Sequence, residues 1–104
     1  MDKYIILTTL CDKEEIANKI IDTLLEKKLV AGSQLSKVYS KYWWNNKLEE
    51  CDEFKIEFRT KENLYYEIEN EINKIHDYEV CEISYNEING ASKVFLNWID
   101  ENVK

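Results

Sequence analysis

Proline is absent from the 104 residues, glycine occurs only at Gly32 and Gly90, and histidine only at His76. Each scarcity narrows what the chain can be. Two glycines cannot make a glycine-rich phosphate loop, which sets aside nucleotide binding of that kind. Without proline, connections must be short or built from Asn, Asp and Ser. Cysteine is sparse as well: Cys11, Cys51 and Cys81 are odd in number and no pair has C-x-x-C spacing. That argues against a disulfide framework and for free thiols in a reducing compartment. No apolar run approaches a membrane span, and Met1-Asp2-Lys3-Tyr4 does not open a signal peptide. The expectation is a cytoplasmic protein with no membrane partner. Basic residues are the minority, 14 against 21 acidic, for a net charge of -7. Such a surface repels phosphate backbones, so nucleic acid is not an expected partner, while cations are attracted weakly. With no G-x-S-x-G elbow and a lone histidine, the sequence gives no sign of an enzyme and none of a required cofactor.

What is present is organised in strand-length and helix-length units. Lys3 to Leu10 is apolar and β-branched, as a covered central strand is. Asp12 with Glu15 three residues later reads as a capping box. Ile16, Ile20 and Leu24, flanked by Ala17, Ile21 and Leu25, then make one apolar stripe of a helix. Leu29 to Trp44 reads as a long strand, and Asn45-Asn46 as a tight hairpin turn, since Asn tolerates positive φ. Glu53 to Thr60 alternates, with Phe54, Ile56 and Phe58 on one face and Lys55, Glu57 and Arg59 on the other. A second helix starts near Thr60 or Lys61 and carries Leu64, Ile68, Ile72 and Ile75. Glu79 to Ile88 reads as a last strand, and Phe95, Leu96, Trp98 and Ile99 as the apolar side of a short terminal helix.

The order β-α-β-β-α-β-α predicts an α+β class: one domain over residues 1–104, a ferredoxin-like split βαβ sandwich with a long central hairpin and an extra C-terminal helix. Right-handed crossovers put both long helices on one face of the sheet. The opposite face then carries Tyr39, Tyr42, Trp43 or Trp44, according to register, with no long helix left to cover it. Exposed aromatic surface of that extent implies a partner, most simply another copy of the chain.

Particular residues carry a resemblance to a known family. Tyr42-Trp43-Trp44-Asn45-Asn46-Lys47 is similar to the Y-W-W-x-G-K hairpin of the CutA family, the divalent-cation tolerance proteins. His76-Asp77-Tyr78-Glu79-Val80-Cys81-Glu82-Ile83 resembles its H-P-Y-E-V-P-E-I segment. The stretch from Asn89-Gly90 to Trp98-Ile99 resembles its G-N-x-x-Y-L-x-W-I ending, and Leu29-Val30-Ala31 its L-A-A. Glu53 and Phe58-Arg59-Thr60 fit the strand after the hairpin. The match spans nearly the whole chain. Asn46 stands at the turn glycine, and Asp77 and Cys81 replace both loop prolines. The resemblance implies a homotrimer in which hairpins extend sheets between subunits, and a link to tolerance of copper and other divalent metal ions. It implies no reaction.

The chemistry-bearing residues are few. His76 is a sensible ligand for copper or zinc, and Glu79 shares its face if the segment is helical, not if it is extended. Cys11 is a further candidate for a soft metal. Set against these, a lone histidine more often does structural work, and small thiols are more often buried or idle. The family pattern suggests a ligand cleft between subunits lined by Trp43, Lys47, Glu53, Tyr78 and Glu82, for which interfacial salt bridges are the plainer reading. Tyr39, Tyr42, Trp44 and Trp98 read as interface and packing residues. Alongside metal tolerance stands the alternative of a trimeric small-molecule sensor or scaffold working through those clefts.

Overall fold

The apolar opening segment folds as a strand that alternates strictly. In the computed structural model, which describes residues 3–104, strand β1 (Tyr4–Cys11) buries Ile5, Leu7, Thr9 and Cys11 completely and leaves the residues between them half-buried. Met1 and Asp2, the start of the leader argument above, lie outside the described residues.

Helix α1 (Glu14–Glu26) follows and buries Ala17, Ile20 and Leu24. Its start corrects the expected capping box. Lys13 is the N-cap, extended and without a side-chain bond, and Asp12 precedes it with its carboxylate 3.9 Å from Lys13 Nζ. Glu14 and Glu15 supply the negative charge that the first turn favours. At the other end Lys28 takes φ 57°, and the N–H groups of Lys28 and Leu29 donate back to the carbonyls of Leu25 and Leu24. This is a Schellman motif with lysine in the left-handed position that glycine usually fills.

The hairpin strands are β2 (Gly32–Trp44) and β3 (Lys47–Lys61). β2 starts three residues later than expected, because Leu29 and Val30 are buried in the connection. β3 begins six residues earlier than its alternating half: Lys47–Asp52 pairs with Tyr39–Trp44 in continuous register. Asn45 and Asn46, at φ 51° and 64°, turn the chain as a primed hairpin requires. A 3-10 turn at Glu62–Leu64 leads into helix α2 (Tyr65–Ile75), which buries Ile68 and Ile72. Strand β4 (Ile83–Glu87) is half the predicted length, since residues 79–82 stay in a loop. Helix α3 (Lys93–Asn102) is capped by Ser92, whose hydroxyl accepts from the Phe95 N–H at 3.2 Å.

The sheet order is β2-β3-β1-β4, antiparallel throughout, so the chain has the ferredoxin-like topology. Ile5, Leu7, Ile56, Phe58, Ile20, Leu24, Ile68 and Ile72 form one core between the sheet and the two long helices. The opposite face is not wholly bare at its far end. There Asp100 of α3 accepts from the Tyr4 hydroxyl at 2.8 Å and pairs with Lys61 at 2.7 Å. Trp98 lies so close over Gly32 that an added Cβ would stand 2.8 Å from its ring. The missing side chain at Gly32 is what lets α3 settle there.

Past the Cys11–Phe54 pair, β2 and β3 continue as a two-stranded arm. The molecule measures 45 × 26 × 21 Å with a radius of gyration of 14.4 Å. A compact chain of this length has about 13 Å, and the arm accounts for the excess.

Candidate functional site at the base of the arm

α2 ends at Ile75, and His76 is extended, with φ -69° and ψ 142°. Its ring is sealed from solvent, with 1% of the side chain exposed. Nε2 lies 2.5 Å from the Leu10 carbonyl, and Nδ1 lies 3.1 Å from the Tyr78 N–H. A carbonyl only accepts and an N–H only donates, so the proton sits on Nε2 and Nδ1 is the acceptor. Both ring nitrogens are thereby committed to the backbone. His76 pins the loop 76–82 to the end of β1, and its ring stacks at a tilt on Tyr78, centroids 4.6 Å apart.

Asp77 fastens the same loop to the start of α1. Its Oδ2 is 2.7 Å from Lys13 Nζ, and that hydrogen bond holds the Asp77 carboxyl below the usual carboxylate range. Tyr78 reaches the sheet: its hydroxyl donates to Glu53 Oε2 at 2.8 Å. Burial, and then Glu53, push the Tyr78 phenol far above its ordinary value, so it remains a donor. Glu53 is itself buried, 8% exposed.

Between this loop and the arm lies a groove of about 840 Å³. The arm side is formed by residues 39–44, the sheet side by Leu10 and Glu53, and the loop side by Tyr78, Val80, Glu82 and their neighbours. Of the five residues expected in a cleft, Trp43, Glu53, Tyr78 and Glu82 line this groove, while Lys47 stands outside the lining, opposite Trp44 beside the turn. Tyr39, Tyr42 and Trp44, read above as interface residues, line it too. By register Tyr42 and Trp44 share a face with Glu53, and Tyr39 and Trp43 occupy the other. Trp43 is 71% exposed and Tyr39 59%. Trp98 is remote from the groove lining, over Gly32 and stacked on Phe95 at 5.7 Å. Sequence reasoning missed Asp77 and Leu10: the Lys13–Asp77 pair joins residues 64 apart and leaves no local pattern.

The candidate metal ligands are not brought together. The extended backbone at His76 removes the helical spacing that would have matched it with Glu79, which is exposed on the loop. Cys11 is fully buried, its thiol donates to the Lys13 carbonyl at 3.4 Å, and burial pushes it up. Among the described residues no three of His, Cys, Asp and Glu converge as ligands. Within one chain, His76, Glu79 and Cys11 do not fit a divalent ion.

An aromatic hairpin, a histidine-pinned loop and a terminal helix closing over a glycine are the features to set beside known proteins. The family profile described as "CutA1 divalent ion tolerance protein" matches residues 4–102. The chain belongs to the CutA1 family. Among relatives, the divalent-cation tolerance protein CutA of Pyrococcus horikoshii is 33% identical over 100 residues, covering 96% of this chain and 97% of the relative. That of Archaeoglobus fulgidus is 36% identical over 90 residues, covering 86% and 88%. The solved structure of Pyrococcus horikoshii CutA1 superimposes with a TM-score of 0.91 at 31% identity, over 96% of this chain and 98% of that one. The Archaeoglobus fulgidus structure, described as a periplasmic divalent cation tolerance protein, gives 0.90 at 34% over the whole of both chains. Among the described residues no helix is long and apolar enough to cross a membrane.

Proposed function

We propose that this CutA1-family chain serves divalent-cation tolerance as a homotrimer that binds copper and similar divalent ions weakly, without catalysing a reaction. The observation that carries the reading is the exposed arm: Tyr39, Tyr42, Trp43, Trp44 and Leu48 all stay exposed on a two-stranded projection, with no helix among the described residues packed over it. A two-stranded ribbon is marginal alone, and a large exposed aromatic surface calls for a partner copy. Weak cation binding follows from the net charge of -7 and from the absence of converging ligands among the described residues of a single chain. The case against catalysis rests on His76, whose two nitrogens are used in holding a loop, and on Cys11 and Cys81, whose thiols burial pushes up. A cytoplasmic home belongs to this reading, and cell fractionation tests it. Sedimentation velocity across a range of concentrations tests the assembly: a trimer is expected, and a monomer at micromolar concentration overturns the reading. Calorimetric titration with copper tests the cation arm, with saturation in the high micromolar range or above expected and no heat at millimolar copper refuting it.

The groove supports a second reading, that of a ligand site brought to a subunit boundary by assembly. Its size suits a metabolite, and its base holds the Tyr78–Glu53 pair. A thermal-shift screen of charged and neutral metabolites is the test; no response across such a library removes it.

A further inference from the structure

We propose that the groove at the base of the arm takes an organic cation, an ammonium or guanidinium group carried on an apolar body. The inference rests on the groove being a ligand site and adds the class of its occupant. Glu53 carries it. As a residue it is more than nine-tenths buried, yet among the described residues it forms no ion pair. Among the described residues its one side-chain hydrogen bond comes from the Tyr78 hydroxyl to Oε2, and Oε1 has no donor there. One phenol supplies a hydrogen bond but no charge, and a buried carboxylate without a cation is costly.

The neighbouring groups cannot fill the gap. Lys41, the base in the lining, is drawn to Glu50 at 3.4 Å and stands on the opposite face of the arm from Glu53. Lys13 is held by Asp77. Glu82 adds negative charge to the wall, and among the described residues its carboxylate accepts from Ser84 alone. An anionic ligand is therefore repelled. The rings of Tyr42, Trp44 and Tyr78 line the same space, and aromatic faces attract weakly hydrated organic cations. A magnesium or calcium ion is a poor occupant, since such ions need six or more oxygen ligands and among the described residues no three acidic, histidine or cysteine side chains converge to hold one.

The test titrates phenethylamine into the full chain, following tryptophan fluorescence and heat, with 2-phenylethanol and phenylacetate as neutral and anionic controls. Saturable binding of the amine alone is expected, weakened at least about tenfold in Glu53→Gln, as loss of a charged hydrogen bond predicts. Sedimentation of both proteins is run in the same buffer. Equal binding of phenylacetate overturns the inference without recourse to any variant. So does unchanged amine affinity in a folded Glu53→Gln, or dissociation of that variant, which would give the missing cation to a neighbouring copy. If only neutral or anionic metabolites bind the wild type, the groove is a ligand site and this inference fails alone. If nothing binds, the ligand-site reading fails with it.

Discussion

The two ends of β3 obey different rules. From Ile56 to Thr60 the strand lies under two helices, every second side chain is sealed, and alternation in sequence translates into burial. From Lys47 to Asp52 the same strand leaves the body as part of the arm, and acidic, apolar and sulfur-bearing side chains follow one another without period. The first half is held by burial within one chain. The second is held by pairing with β2, by a turn of two Asn residues, and by whatever covers the aromatics of β2 beside it. Hydrophobic pattern therefore marks where a strand meets its own core and is silent where it does not.

Substitutions on the two halves separate these rules. The largest effect is expected from Phe58→Ala in the fully buried core, a loss of about 3–5 kcal/mol in denaturant unfolding. Trp43→Ala on the arm is expected to change a single chain's own stability by less than about 0.5 kcal/mol, while shifting assembly to higher protein concentration. A large loss for Trp43→Ala at concentrations where the chain is monomeric would break the comparison. Tyr78→Phe lies at the junction. It strips Glu53 of its donor, and a cost of about 1–3 kcal/mol is expected, read as a lower midpoint of urea unfolding.

Two turn substitutions sharpen the contrast at smaller scale. Asn46→Ala forces a Cβ-bearing residue without an amide into φ 64° and is expected to cost about 1 kcal/mol. Lys28→Gly relieves the left-handed strain at the end of α1 and is expected to raise stability by a similar amount, about 1 kcal/mol, in thermal unfolding. The smallest effect is from pH. Hydrogen bonds from Lys13 and Lys61 lower the carboxyls of Asp77 and Asp100 below the ordinary 3.8. The stability they contribute is complete above that value and is lost as pH falls through the depressed folded values. Both groups are exposed, so Asp77→Asn is expected to flatten the acid limb of the unfolding curve only slightly.

Legibility followed the same division. The stripes Ile20–Leu24 and Ile68–Ile72, the Phe54–Ile56–Phe58 alternation and the Asn45-Asn46 turn were readable because each is a local pattern with one structural meaning. The start of α1 is not legible in this way, because Asp12 has the chemistry of a cap in sequence while Lys13 takes the position in space. The start of β4 is not legible either, because Glu79–Glu82 has strand-like spacing in sequence but lies in the loop that Tyr78 ties to Glu53. Of the site, Trp43, Glu53, Tyr78 and Glu82 were named from family pattern alone. Nothing local marks Glu53 as buried or His76 as closed to metal.

The sequence by itself determined the order of elements and the single sheet with two helices over one face, because periodicity and turn chemistry act over a few residues, and it pointed to the family through motif resemblance. Only the tertiary structure decided that α3 folds over Gly32, that His76 spends both nitrogens on Leu10 and Tyr78, and that Glu53 is buried with no cation paired to it among the described residues. These depend on contacts between residues far apart in the chain, and burial and hydrogen-bond partners are properties of the packed surroundings rather than of any residue's own neighbours in sequence.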